Sequence, residues 1–231
     1  MSVQRILVAL VFAAVVPASV AAQKLGFIGG PSMSHSTMWC EDEGAGFKPI
    51  PGAGFHVGAL FEWDITNRWG WDAAVMYEMR SSAFDLSYSG VDTTNYFNRQ
   101  LFYLNVPVHV YVNFPIRNKY VISTFVGPVF TCALHGRDIA WENTEMRKPV
   151  MYEKEDLFGK EGRIVRCEIA AEIGIAFKYR NFQGRLSYQY GINNLTKDNY
   201  LYTLPMTSGT KTYLTQGTLK LSFAYLFDLR K

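Results

Sequence analysis

The sequence predicts an all-β protein, an eight-stranded antiparallel up-and-down transmembrane β-barrel. Three observations lead to this prediction. Six segments alternate apolar and polar residues with a period of two, and two more, 24–34 and 120–134, look extended with a less clear alternation. The connections between these segments are alternately long and short. Aromatic residues gather beside the short connections.

The first 22 residues have the organisation of an export signal. Arg5 supplies a basic start, an apolar stretch runs from Ile6 to Val16, and small residues from Val20 to Ala22 precede a cleavage point. The apolar stretch is short for a membrane anchor and is followed by Pro17. We therefore predict a cleaved signal peptide at residues 1–22 and a barrel domain at residues 23–231.

Composition excludes several other classes. Aromatic residues make up 15% of the 231 residues and charged residues only 19%, which is typical of neither a disordered chain nor a coiled coil. The formal net charge of +3 is too small to indicate a nucleic-acid partner. After Ala22 no apolar run reaches the length of a membrane helix.

The clearest alternation lies in segment 165–179. Its odd positions, from Val165 to Tyr179, are apolar, whereas its even positions include Arg166, Glu168 and Glu172. Successive side chains of a strand point to opposite faces, so one face of this strand is apolar and the other polar or small. The full set of predicted strands is 24–34, 55–65, 69–79, 102–114, 120–134, 165–179, 182–192 and 219–227.

The connections give the barrel two different ends. Short ones lie at 66–67, 115–119 and 180–181, and long ones at about 35–53, 81–100, 136–163 and 194–213. Outer-membrane barrels have short periplasmic turns and long external loops. A soluble, lipocalin-like barrel would also alternate, with its apolar face inward, but it would not need four long loops at one rim. The aromatic residues that flank the short turns and indicate a membrane interface are Trp63, Trp69, Phe114, Tyr120, Tyr179, Phe182 and Phe227.

Five short strings resemble an outer-membrane β-barrel domain family of Bacteroidetes-type bacteria, which includes small porin-like and PorT-like proteins. They are Leu25–Gly30, Gly54–Gly58, Tyr103–Pro107, Gly127–Pro128 and Tyr188–Asn194. The resemblance implies the fold and an outer-membrane location, and PorT-like members imply an accessory role in secretion. The sequence departs from the pattern at its end, because Phe227 is followed by four further residues instead of closing the chain.

The inward face of the predicted barrel carries six acids and six bases. They are Glu62, Asp64, Asp72, Glu78, Glu168 and Glu172, with Arg68, Arg80, Arg166, Lys178, Arg185 and Lys220. An eight-stranded barrel leaves an interior just wide enough for side chains, so these charges are expected to pair and plug the lumen. The predicted network centres on Glu62, Asp72, Glu78, Arg166, Glu168, Glu172, Arg185 and Lys220. The alternative is a small-solute pore, which would favour one sign of charge.

No catalytic, cofactor-binding or metal-binding residues are predicted, and the protein is expected not to be an enzyme. Acyl transfer needs a nucleophile beside a base, and the nearest arrangement is His135 with Ser123 or Thr131. His56 and His109 share the inward parity. A lipid-modifying outer-membrane enzyme therefore stays open as an alternative.

The expected partners are outer-membrane lipid and lipopolysaccharide around the barrel, and envelope or secretion proteins at the long loops. The expected role is surface interaction, envelope integrity or accessory work in secretion. Cys132 and Cys167 are predicted to face each other near the rims of adjacent strands, where a disulfide and two free thiols both stay open.

Overall fold

The computed structural model describes residues 23–40, 48–86, 95–116, 119–141, 149–151, 157–158, 164–196, 200–201, 204–205 and 212–229. The predicted signal peptide at residues 1–22 lies outside this part of the chain. The strands are β1 (Gln23–Cys40), β2 (Lys48–Asp64), β3 (Trp69–Leu86), β4 (Asn95–Pro115), β5 (Tyr120–Trp141), β6 (Pro149–Met151), β7 (Cys167–Tyr179), β8 (Phe182–Gly191), β9 (Tyr200–Leu201), β10 (Leu204–Pro205) and β11 (Thr212–Asp228). Among these residues no helix is long and apolar enough to cross a membrane.

Eight of the strands form a closed barrel. Going round the wall, the order is β1, β2, β3, β4, β5, β7, β8 and β11, and β11 pairs with β1. Every pairing is antiparallel. The short β6 pairs with the end of β5, and β9 and β10 pair only with each other. The predicted eight-stranded up-and-down barrel is confirmed.

The register sets the tilt of the strands. A path that follows paired residues once round the wall leaves β1 at Gln23 and returns to it at Met33, a stagger of ten residues. With about 3.3 Å per residue and about 4.8 Å between strands, this stagger corresponds to a tilt of about 40°. The path runs through Gln23, Trp63, Trp71, Val110, Val126, Ile173, Tyr188, Leu219 and Met33.

Closure brings β1 and β11 very close together. A Cβ atom on Gly26 would lie 1.9 Å from the carbonyl oxygen of Tyr225, and one on Gly30 would lie 2.0 Å from that of Leu221. No larger residue fits at either position without a backbone shift. Gly26 and Gly30 are therefore required by the approach of the last strand.

The alternation in sequence corresponds to the two faces of the wall. On β7, Ile169, Ile173 and Ile175 are 50%, 62% and 54% exposed, whereas Ala170 and Glu172 are 0% and 4% exposed. The outer face is apolar and the inner face is rich in polar and charged groups. A soluble barrel would have the opposite arrangement, whereas a lipid-facing outer wall explains this one.

Most strands are longer at the loop end than the sequence predicted. β1 extends to Cys40 instead of residue 34, β3 to Leu86 instead of 79, and β5 to Trp141 instead of 134. β2, β4 and β11 likewise begin at Lys48, Asn95 and Thr212, before the predicted starts. Beyond the apolar, lipid-facing band of the outer wall, neither face of a strand needs apolar side chains. The sequences of these extensions therefore do not alternate between apolar and polar residues. The first three long connections are correspondingly shorter than predicted, whereas the fourth, between Gly191 and Thr212, has its predicted length.

The first short turn is built by Thr66. Its hydroxyl oxygen accepts hydrogen bonds from the backbone N–H groups of Arg68 at 3.2 Å and Trp69 at 2.9 Å. Arg68 is exposed in this turn, so the prediction that its charge faces the lumen is wrong. In the turn at 180–181, Arg180 adopts the left-handed conformation with φ of 54°, which tight reversal between antiparallel strands favours.

Candidate functional site: the barrel interior

The short-turn end of the interior contains a cluster of two lysines and two carboxylates. Lys24 Nζ lies 2.9 Å from Asp64 Oδ2, and Lys178 Nζ lies 2.6 Å from Glu62 Oε1. The hydroxyl of Tyr111 donates to Asp64 Oδ1 at 2.6 Å, and the Lys178 ammonium stands 4.1 Å from the centre of the Tyr111 ring. Side chains from β1, β2, β4 and β7 thus meet across the lumen at this level.

A cavity of about 450 Å³ lies at the same end of the barrel. Its walls include all four of these charged side chains, and the turn residues Lys119 and Arg180 contribute to its lining. The cavity is large enough to hold several water molecules beside the charged groups. Solvent therefore reaches the interior from the short-turn end as far as this first charged level.

The next level joins β3, β4 and β8. His109 Nδ1 lies 2.8 Å from Asp72 Oδ1, and Arg185 Nη2 donates to Asp72 Oδ2 at 3.0 Å. The Arg185 guanidinium also stacks over the ring of Phe125, 4.1 Å from its centre. Asp72 is 2% exposed, and a carboxylate so deeply buried needs such partners to remain charged.

Lys220 of β11 stands at the centre of the interior. Its Nζ lies 3.1 Å from Glu172 Oε2, 2.6 Å from Gln189 Oε1 and 3.5 Å from Glu78 Oε2. The side-chain amide of Asn105 also donates to Glu78. Lys220 is 1% exposed and Glu78 is fully buried, so the ammonium and its carboxylates are shielded from bulk solvent.

Arg80 of β3 forms the level nearest the loops. Its Nε donates to Glu78 Oε1 at 3.0 Å, and its Nη1 donates to Glu168 Oε2 at 2.6 Å and to Gln216 Oε1 at 3.4 Å. The guanidinium also lies 4.7 Å from the ring centre of Tyr103. Arg80 therefore crosslinks β3, β7 and β11 through the middle of the barrel.

An apolar cluster, here called the cap, lies beyond Arg80 toward the loops. Strand residues Leu101, Tyr103, Ala133 and Leu214 pack there with residues of the long connections. The connection residues are held in place by backbone hydrogen bonds, from Ile164 N–H to the Leu157 oxygen at 3.0 Å and from Leu195 N–H to the Leu214 oxygen at 2.9 Å. The connection residues in the cap are Leu157, Phe158, Ile164 and Leu195, each 6% exposed or less.

The structure places seven members of the predicted charge network in the interior and one outside it. The seven are Glu62, Asp72, Glu78, Glu168, Glu172, Arg185 and Lys220, each 4% exposed or less. Arg166 is exposed in the segment before β7, because that strand begins at Cys167 instead of at residue 165. Arg80, which the alternation placed on the inner face but which the predicted network omitted, is buried in the interior and pairs with Glu78 and Glu168.

A buried histidine–serine pair escaped sequence reasoning. His56 Nε2 lies 2.8 Å from Ser222 Oγ, although β1 stands between their strands. Gly30 is the β1 residue paired with His56, and its missing side chain leaves the space for this contact. The alternation in sequence indicates that both residues point inward. Their proximity, however, depends on the register in which β1 pairs with β11 to close the barrel.

This pair lacks the third member of a catalytic triad. His56 Nδ1 has no hydrogen-bond partner among the described residues. His109 has a carboxylate partner in Asp72 but no serine. A triad requires the serine, the histidine and the carboxylate in one hydrogen-bonded chain, and the described interior does not assemble one.

The predicted arrangement of His135 with Ser123 or Thr131 is wrong. The pairing between β4 and β5 shifts register next to Phe102, which moves His135 to the outer face. There its ring stacks on Phe102 with centroids 4.3 Å apart. Thr131 is buried inside, and Ser123 donates to Asn113 at 2.6 Å.

No group of three or more His, Cys, Asp or Glu side chains within the described ranges could hold a metal ion.

Comparison with solved structures shows related barrels of low sequence identity. The outer membrane protein OprG from Pseudomonas aeruginosa has 11% identity and a TM-score of 0.52, over 91% of this chain and 98% of that one. Ail, the attachment invasion locus protein of Yersinia pestis, has 14% identity and a TM-score of 0.39, over 90% of this chain and 99% of that one. Neisserial surface protein A has 10% identity and a TM-score of 0.39, over 87% and 97%. The comparison with curated proteins found no match.

A family model described as outer membrane protein beta-barrel domain matches residues 21–197. This match covers seven of the eight barrel strands, and the likeness to OprG shows the same fold. The closed barrel with its apolar outer wall is what insertion in a bacterial outer membrane requires. The chain belongs to the outer membrane protein beta-barrel domain family.

Proposed function

We propose that this outer-membrane barrel is a non-enzymatic scaffold whose lumen is plugged by its own side chains and whose loop end makes surface contacts. The observation that carries this proposal is the layered interior, in which successive levels of buried ion pairs cross the lumen beneath an apolar cap. The role we infer is surface interaction, envelope integrity or accessory work in secretion.

The ion pairs support a closed lumen because they are mutually compensating. Lys178 binds Glu62, Arg185 binds Asp72, and Lys220 and Arg80 share Glu78. A selective pore would line its path with one sign of charge, whereas this interior alternates signs at every level. A permeating ion would have to separate these buried pairs, which would leave charges uncompensated in the interior.

The cap supports the same conclusion at the other end. Leu157 and Phe158 come from a connection and not from the wall, yet they are 5% and 6% exposed. They pack on Leu101 and Tyr103, and the Tyr103 hydroxyl in turn donates to Gln216 beside Arg80 at 3.2 Å. An apolar layer above a charged layer hinders hydrated ions, since neither water nor ion finds polar partners there.

The surface role follows from what a closed barrel leaves available. With no path through the lumen, the parts that can act on other molecules are the lipid-facing wall and the loop end, and loops on rigid scaffolds often carry binding. The resemblance to PorT-like proteins favours a secretion partner. Export by cleavage of residues 1–22 and contact with lipopolysaccharide belong to this proposal.

Photocrosslinking in intact envelopes tests the surface role. Arg137→p-benzoylphenylalanine places the reactive group on an exposed β5 position toward the loop end, and Ile173→p-benzoylphenylalanine places it on the apolar wall as the matched control. We expect discrete protein adducts at position 137 and lipid adducts at position 173. Absence of protein adducts at position 137, with the control reacting normally, contradicts a surface-binding scaffold.

The enzyme alternative has its own test. The Ser222–His56 pair is the only feature that resembles acyl-transfer machinery in the described interior, and it lacks an orienting carboxylate. Lipid A mass spectra should be identical in strains that carry the wild-type protein, the Ser222→Ala variant and no protein. A modification that is present with the wild type and lost with Ser222→Ala would establish the enzyme instead.

A further inference from the structure

Two cysteines face each other across adjacent strands at the loop end of the wall. Cys132 of β5 is paired in register with Cys167, the first residue of β7, and their sulfur atoms are 3.9 Å apart. Both side chains point to the outside of the barrel, where Cys167 is exposed and Cys132 partly exposed. Neither thiol takes part in the interior contacts or in the surface role proposed above.

The backbone geometry at this pair suits a crosslink. The N–H of Ala133 donates to the carbonyl oxygen of Arg166 at 2.7 Å, so the hydrogen bond joins the residues beyond the two cysteines and not the cysteines themselves. This marks Cys132 and Cys167 as a non-hydrogen-bonded pair, the type in which opposing Cα atoms approach to about 4.5 Å. That separation lies within the range that disulfides span, about 4.4–6.8 Å. Rotation of the side chains is enough to bring the sulfurs together.

The backbone of Cys167 is also held on its other side. The side-chain amide of Asn193 donates to the Cys167 carbonyl oxygen at 3.2 Å, and the Asn193 side-chain oxygen accepts from the Ile169 N–H at 2.7 Å. The start of β7 is therefore fixed between Asn193 and β5 before any covalent link forms. A thiol pair held in register in this way is preorganised for oxidation, and the envelope of an exporting bacterium is an oxidising compartment.

We propose that Cys132 and Cys167 form a cross-strand disulfide in the assembled protein. One cysteine thiolate attacks a sulfur of a periplasmic protein disulfide, the oxidant, and forms a mixed disulfide. The second cysteine thiolate then displaces the oxidant and closes the bond between Cys132 and Cys167. Two electrons and two protons leave the cysteines and end on the oxidant, whose disulfide becomes a dithiol.

The disulfide would have a structural role in the barrel. It ties β5 to β7 at the point where the connection that supplies Leu157, Phe158 and Ile164 to the cap returns to the wall. β7 starts here, whereas β5 continues to Trp141, so β5 has no β7 partner beyond Cys132. The disulfide would thus join the last paired residues of β5 and β7. It would also fix one end of the connection that supplies residues to the cap.

Differential alkylation of the full-length protein tests the proposal. Protein extracted from outer membranes without reductant is unfolded and alkylated with one reagent, reduced, and then alkylated with a second. We expect Cys132 and Cys167 to carry only the second label, and the unreduced digest to contain one peptide pair lighter by two hydrogen atoms. Cys40, the third cysteine, should carry the first label.

Two variants keep the result interpretable. Cys40→Ser should retain the linked peptide pair, and Cys132→Ser should release Cys167 to the first label while the barrel still migrates as a folded species. First-label modification of both Cys132 and Cys167 in wild-type protein, even after treatment with a chemical disulfide oxidant, would overturn the proposal. Linkage of Cys40 to either residue would overturn it as well.

Discussion

Replacing Arg80 should destabilise the barrel more than replacing any exposed arginine. Arg80→Met keeps much of the side-chain volume and removes the charge that Glu78 Oε1 and Glu168 Oε2 contact at 3.0 and 2.6 Å. Glu78 retains Lys220 at 3.5 Å, whereas no second cation is paired with Glu168 among the described ion pairs. Removal of one partner of a buried ion pair costs about 3–5 kcal/mol because a charge is left uncompensated. We expect a loss of this size in the free energy of unfolding.

Equilibrium urea unfolding of the refolded barrel in phospholipid vesicles, followed by tryptophan fluorescence, measures this loss. Arg166→Met is the matched control, since Arg166 is exposed and should change the free energy of unfolding by no more than about 0.5 kcal/mol. Combining Arg80→Met with Glu168→Gln removes the orphaned charge and should recover about 0.5–3 kcal/mol. Equal unfolding curves for Arg80→Met and the wild type would refute the assignment of Arg80 to a structural crosslink.

Three further outcomes follow from the barrel and its two faces. Unheated protein in dodecyl sulfate should migrate apart from boiled protein, because a closed barrel has no free edge from which to unfold; identical migration of outer-membrane material would speak against closure. Ile173→Arg, on the lipid-facing wall, should lower the free energy of unfolding in vesicles by about 2–4 kcal/mol or block assembly. Its control, Ile116→Arg in a short turn, should lower it by at most about 1 kcal/mol. Equal effects of the two substitutions would contradict the assigned outer face. Protease added to whole cells should cut the connection between Trp141 and Cys167 before the turn at 180–181, and the reverse order would mean that the barrel is inserted the other way round.

The wall of the barrel was predictable from sequence because burial in lipid imposes a strict period. Ile169, Ile173 and Ile175 had to be apolar where they contact lipid, and the residues between them had to be polar or small where they face the narrow lumen. That constraint ends with the apolar band. The extensions of β1, β3 and β5 beyond it therefore left no periodic trace.

The interior was predictable as a set of inward residues but not as a set of contacts. Inward parity identified Glu78, Glu168 and Lys220, yet the partners of each depend on the ten-residue stagger, which sequence does not reveal. A single register shift beside Phe102 was enough to move His135 outside. The cap was not predicted from sequence either. Leu157 and Phe158 lie in a connection whose sequence has no hydrophobic periodicity that would mark them as buried.

Conductance of the wild-type protein in planar lipid bilayers tests the plugged lumen most directly. Buried ion pairs at each level and the cap beyond Arg80 predict no stable steps above the baseline of the bare bilayer, while a porin reconstituted in the same way shows them. Insertion is verified on the same preparation by heat-modifiable migration. A large, steady, ohmic conductance from inserted wild-type protein would contradict the account and identify the interior as a pore.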